Sequence, residues 1–241
     1  MLATQPGLGW RISRSQLPVF DMSFQRQHVD DYDDINGREV GRALMACGWE
    51  YLGSTLRIDA LAPAIPAGGR RRQWTAVASA WAGLIQSQAG PVGLNLSYAV
   101  EPAHRGQGLA LLLSCCAAVE YAMAGTSSSR TRPRPTFINI QCRTTNEASL
   151  ATANSLGVPA CPEAGFTVTH AGRDDVEYLG FREPIENFLD RARPFVAARL
   201  PGYWPGGLAH TDQLELSPQL PWLREDDASE ALSLTESSPH Q

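Results

Sequence analysis

The sequence predicts an α/β fold, on three observations. Residues 92–100, VGLNLSYAV, place Val92, Leu94, Leu96, Tyr98 and Val100 on one side of an alternating pattern, the signature of a strand. A stretch from about Gly108 to Ala124 follows that is apolar almost all round, as a helix buried on every side would be. Residues 136–142 and 146–156 then repeat the order strand, helix, so the two element types alternate through the middle of the chain.

From the N-terminus, residues 1–27 read as an irregular lead-in. Residues 28–56 carry helical spacing, with Ile35, Val40, Leu44 and Met45 behind the acids Asp30, Asp31, Asp33 and Asp34. Acids near a helix N-terminus complement its dipole, and that reading is preferred to a metal site. Pro63 to Arg72 is a loop ending in Arg70, Arg71 and Arg72, a run read as solvated. Trp74–Ser79 and Trp81–Gln86 read as two short antiparallel strands with a poorly marked turn. After the helix at 108–124, residues 125–136 are a connection rich in Gly, Ser, Thr, Arg and Pro. Gly157 fits the C-terminal cap of the helix at 146–156. Residues 166–170 and 175–181 read as a hairpin around Ala171-Gly172-Arg173-Asp174. Pro184 opens a last helix with Ile185, Phe188, Leu189, Phe195 and Val196 on one stripe and a kink at Pro194. That stripe must pack on the sheet or on a second subunit, which leaves a homodimer open. Residues 184–216 therefore hold a helix and an aromatic loop. Residues 217–241 are a polar, acidic tail that is expected to be disordered.

Composition removes several functions. The chain has 241 residues and a net charge of −5, which argues against non-specific nucleic-acid binding. All 20 basic residues are Arg, so no Walker, Schiff-base or catalytic Lys exists. Cys47, Cys115, Cys116, Cys142 and Cys161 form no CxxC pair, and no metal site is expected. They read as reduced thiols. No apolar run approaches the roughly 20 residues of a membrane span. No secretory signal is visible, so a cytoplasmic location is expected.

The chemistry lies in Val100-Glu101-Pro102-Ala103-His104-Arg105-Gly106-Gln107-Gly108-Leu109-Ala110. A strand ends, a glycine turn follows and a helix begins. Converging backbone N–H groups and the helix dipole make such a turn an anion site, and Gly106 and Gly108 let a phosphate approach the backbone. A dinucleotide fingerprint fails because Leu111 stands at its last position, and a Walker loop fails for want of Lys.

The string resembles the Arg/Gln-x-x-Gly-x-Gly/Ala motif of the GNAT superfamily of N-acetyltransferases, as Arg105, Gly108 and Ala110. A second segment is similar to the same family. Asn146 and Ser149, followed by Leu156-Gly157, keep the spacing of the branch that acetylates protein N-termini, including those of ribosomal proteins. The resemblance covers residues 72–182, within a domain drawn at 28–183. It implies a mixed, mostly antiparallel sheet of about six or seven strands flanked by helices, open where 92–100 and 136–142 lie side by side. It also implies acetyl-CoA as co-substrate. Arg105, Gly106, Gln107, Gly108, Leu109 and Ala110 would hold the pyrophosphate, and Ala99 and Val100 the pantetheine. Asn146 and Ser149 would face the cofactor arm, with Ser149 a candidate donor to the departing thiolate.

The chain departs from the family where proton transfer is concerned. Gln141 stands where one branch has Glu, and Ala153 where others have Tyr. Glu101, His104, Tyr98 and Tyr178 remain as candidates. The expected function is transfer of an acetyl group to an amine whose class the sequence leaves open. A CoA-binding regulator without turnover is the alternative, and a nucleobase-modifying relative, resting on Arg70–Arg72, a weaker one. Trp204, in the aromatic loop Pro201–Gly207, is a candidate for acceptor recognition.

Overall fold

The computed structural model describes residues 10–17, 48–64, 73–87, 90–127, 133–169, 175–200 and 214–216. Their strands are β1 (Trp10–Leu17), β2 (Trp49–Ala64), β3 (Gln73–Ser87), β4 (Val92–Val100), β5 (Phe137–Arg143), β6 (Phe166–Val168), β7 (Val176–Pro184) and β8 (Leu214–Leu216). The helices are α1 (Leu109–Ser127), α2 (Glu147–Ser155) and α3 (Ile185–Arg199). One sheet runs in the order β6-β7-β5-β4-β3-β2-β1-β8. Every neighbouring pair is antiparallel except β4 and β5. A parallel pair needs a crossover, and α1 supplies it.

One face of the sheet buries the alternating residues Ile58, Ala60, Ala78, Ala80, Ala82, Leu94, Leu96, Ile138 and Ile140 against α1. The alanines of β3 are small, which lets the helix lie close to the strands. Residues 112–121 of α1 are all buried, as the all-round apolar pattern requires. They are covered on their outer side by α3, which buries Ile185, Phe188, Leu189 and Val196 of the expected stripe together with Ala192, while Phe195 is only half-buried against the same core. Each large side chain so buried contributes about 1.5–3 kcal/mol.

Two local readings are corrected. Residues 49–56 are extended, as the first half of β2, and not helical. Leu56 and Ile58 alternate into the core, and pairing with β3 overrides the helix-like spacing. β3 runs unbroken through Ala80 in place of two short strands. Ala80 pairs with Ile58 on one side and Tyr98 on the other, and a strand held on both sides stays extended. The sheet reaches eight strands because β1 and β8 lie where the sequence shows no strand pattern. The expected pairing of residues 92–100 with 136–142 is present, as are the β6–β7 hairpin and the helix after Pro184. Asp30 to Asp34 and Arg70 to Arg72 lie outside the described residues.

Candidate functional site

The sheet opens between β4 and β5. Their ladder holds only Gly93, Leu94 and Asn95 against Phe137, Ile138 and Asn139. Gly93 makes the close approach possible, because a Cβ there would run into the Phe137 ring. Beyond Asn95, β4 stays paired with β3 to Val100, while β5 turns away with β7. A wedge results, with its apex at Asn95 and Asn139. There Asn139 Nδ2 donates to Asn95 Oδ1 at 2.8 Å, and Arg182 Nη2 donates to Asn139 Oδ1 at 3.0 Å. Asn139 is fully buried and Asn95 nearly so, so this relay ties β7, β5 and β4 together where the sheet divides.

Strand alternation decides which backbone groups face the wedge. Glu101 N–H donates to Val77 O, and Thr136 N–H to Val92 O. Odd positions at the end of β4 therefore bond β3, and the N–H and C=O groups of Leu96, Tyr98 and Val100 turn toward the wedge. Ala99 shares its main chain with Ser79 on β3, and Arg105 Nε donates to Val100 O at 3.3 Å.

Past Val100 the chain makes a single 3-10 turn over Pro102–His104 and reaches Gly106 and Gly108, at φ 73° and 69°. Both are left-handed positions that glycine occupies without strain. A Cβ on Gly106 would meet nothing within 4 Å, so the conformation and not a neighbour calls for glycine there. Leu112 N–H donates to Gly108 O, which makes Gly108 the residue before the first turn of α1. The amides of Leu109, Ala110 and Leu111 have no partner within the helix by position. The dipole of the 19-residue α1 adds positive potential at the same point. Arg105 and Gly106 are exposed and Gln107 half-buried around this turn.

The α1 side of the wedge is closed by three side chains from three elements. Tyr98 on β4 donates its phenol to Ser149 O at 2.8 Å and lies 3.2 Å from Ser149 Oγ. Ser149 Oγ donates to Cys142 Sγ at 3.1 Å. Burial raises the Cys142 pKa, and its hydrogen bonds to Ser149 and Tyr98 pull the other way. Asn146 caps α2, its Oδ1 accepting from Ser149 N–H at 3.0 Å. Ala153 is buried one turn along the same helix, so the phenol that reaches this turn of α2 comes from the strand. Burial pushes Cys115 up to about 12 and Cys116 well above its usual range, as suits core thiols.

The face opposite α1 holds polar residues that sequence spacing does not bring together. Arg143 Nε donates to the Tyr178 hydroxyl at 3.1 Å, and the Tyr178 ring stacks on Phe166 at 4.8 Å between centroids. Asp59, nearly buried, accepts from Ser79 and from Arg57, the latter at 2.6 Å. Only strand register could have found these groups, since Arg143 and Tyr178 are 35 residues apart. Gln141 shares this face and is half-buried. Trp204 lies outside the described residues. Among the described residues, no group of three or more His, Cys, Asp or Glu is placed to hold a metal ion. No helix among them is long and apolar enough to cross a membrane.

No known family profile and no curated protein matches the chain. Three solved structures similar to it are acetyltransferases. NAA60 of Arabidopsis thaliana in complex with acetyl-CoA is 12% identical, over 73% of this chain and 99% of that one, at a TM-score of 0.45. The ribosomal-protein-alanine N-acetyltransferase of Brucella melitensis is 18% identical, over 64% and 79%, at 0.35. An N-acetyltransferase of Staphylococcus aureus Mu50 is 13% identical, over 63% and 75%, at 0.37.

Proposed function

We propose that this chain transfers an acetyl group from acetyl-CoA to an amine by direct attack. The observation that carries the reading is the opening of the sheet between β4 and β5, at the point where β4 runs into a left-handed glycine turn and the N-terminus of α1. A pyrophosphate needs converging amides, and the turn from Arg105 to Ala110 supplies them. A pantetheine arm carries amides of its own, and the wedge offers it the edge at Leu96, Tyr98 and Val100 as a neighbouring strand would be offered. An amide of that edge, aimed at the thioester oxygen, would stabilise the charge that develops there.

In the reaction the acceptor nitrogen bonds to the acetyl carbon, the carbon–sulfur bond breaks, the sulfur leaves with a proton and the nitrogen loses one. The α1 side of the wedge is closed by Tyr98, Ser149 and Cys142, so the acceptor would enter from the opposite face. The Tyr98 phenol, beside the Ser149 hydroxyl, is the proton donor we assign to the leaving sulfur. Holding both reactants in line supplies much of the remaining rate.

Gln141 and Ala153 favour a second reading, a CoA-binding regulator without turnover. Calorimetry with acetyl-CoA, followed by thiol release across a panel of amines, separates the two. Binding with turnover supports transfer, binding without turnover the regulator, and the absence of binding removes both.

A further inference from the structure

Burial changes abruptly at one rung of the divided sheet. Ser97 and Tyr98 of β4 and Gln141 of β5 are half-buried, whereas residues 92–96 and 137–140 are all buried. The open part of the wedge therefore ends at the last rung of the ladder, Asn95 against Asn139. Leu94, Leu96, Ile138 and Ile140 alternate into the core under α1, so the two asparagines lie together on the other face. Asn139 Nδ2 donates to Asn95 Oδ1 across the gap at 2.8 Å. Arg182 braces this bridge from β7, donating to Asn139 Oδ1 from Nε at 3.3 Å and from Nη2 at 3.0 Å. Its guanidinium lies over the Phe137 and Trp49 rings at 4.6 and 5.0 Å, which hold it in turn.

Past that rung β4 runs on from Leu96 to Val100, about 17 Å of extended chain. A pantetheine arm has about four residues' worth of chain atoms between phosphate and sulfur, and an acetyl thioester adds about one more. Begun at the glycine turn and laid along β4, such an arm brings its acyl methyl to the bridge. One further carbon can use the half-buried space beside Ser97 and Gln141. A longer chain has to enter the rung itself. There it parts a buried amide–amide hydrogen bond and leaves each group without that partner away from water, which is the costly outcome. Leu96 and Ile140, 2% and 1% exposed, close the core side, so the chain has no way round the bridge there.

We infer that the Asn95–Asn139 bridge is the floor of the acyl pocket and sets the length of the acyl group: acetyl and propionyl fit, butyryl and longer chains do not. This rests on the acetyl-transfer reading above. The two asparagines determine specificity as a wall, and Arg182 is the positioning residue that keeps the wall in place. The discrimination is steric, so it acts on the binding of the donor and can be read before the acceptor is known.

The test is calorimetry on the full chain with CoA, acetyl-CoA, propionyl-CoA, butyryl-CoA and hexanoyl-CoA. The expected result is similar affinity for the acetyl and propionyl donors and a loss of about tenfold or more at butyryl. Asn95→Ala and Asn139→Ser each lower the floor, and each should bring the butyryl-to-acetyl affinity ratio close to unity. A purely structural part for the bridge would weaken every donor alike and leave that ratio where it was. The wild-type series decides first, and Asn95→Ala carries the variant arm if Asn139→Ser does not fold. No binding of any CoA form removes the parent reading and this inference with it. Binding of butyryl-CoA as tight as acetyl-CoA by the wild type overturns the inference and leaves the parent reading standing. An unchanged ratio in a folded variant overturns it equally.

Discussion

Tyr98 and Gly108 are the single residues on which the proposed chemistry depends most. Tyr98 is one of the alternating apolar-face residues of β4, yet its hydroxyl ends beside Ser149 on α2. Removing that hydroxyl should lower kcat on the order of 100-fold, the usual scale for one proton-transfer group. We expect Tyr98→Phe to keep its acetyl-CoA affinity in calorimetry, and an unaltered kcat would assign the phenol a purely structural part. Gly108 combines a φ of 69° with a place directly before the first free amides of α1. Gly108→Trp should fill the anion seat and abolish acetyl-CoA binding, while the unfavourable φ costs stability by about 1–3 kcal/mol. A variant that melts cooperatively and still binds with wild-type affinity would put the cofactor elsewhere.

At the scale of elements, α2 and α3 hold the closed side of the wedge in place through one arginine. Arg191 on α3 donates to the carbonyls of Leu156 and Gly157, at 3.3 and 3.1 Å, where α2 ends. It also pairs with Glu183, a carboxylate whose side chain is only 6% exposed. Taking the arginine away strands that charge with little water around it. Arg191→Met should therefore cost about 1–3 kcal/mol in a urea titration. Adding Glu183→Leu should recover part of the loss, since an apolar pair tolerates burial better than a lone charge. A double variant less stable than the single one would show that Glu183 has other work.

Across the whole molecule, the decisive feature is that one sheet is continuous on its β3 side and divided on its β5 side. The Arg182–Asn139–Asn95 relay sits where the division starts. Asn139→Leu would leave a buried amide and a half-buried guanidinium without their shared partner, at a cost of about 2 kcal/mol. Because the apex sets how far β4 and β5 diverge, the same variant should bind acetyl-CoA more weakly. Calorimetry against a temperature series distinguishes this from simple unfolding. An affinity equal to wild type at a temperature where the variant is folded would separate the relay from the site.

The sequence by itself determined the α/β class, the strand at 92–100, the buried helix behind it and the glycine turn between them. These are local: alternation, all-round apolarity and left-handed glycines need no distant partner to be recognised. It also located the helix at 146–156 with Gly157 at its C-terminal end, the helix after Pro184 and the hairpin at 166–181, for the same reason. Tertiary structure decided the rest. β2 is extended over residues 49–56 because β3 pairs with it, and β3 passes through Ala80 without a turn because it has neighbours on both sides. Tyr98 meets Ser149 and Cys142, and Arg143 meets Tyr178, only because β4, β5, β7 and α2 converge on the wedge. Residues that come together across a sheet are related by register, and register is set by the packing of whole strands, which no spacing along the chain records.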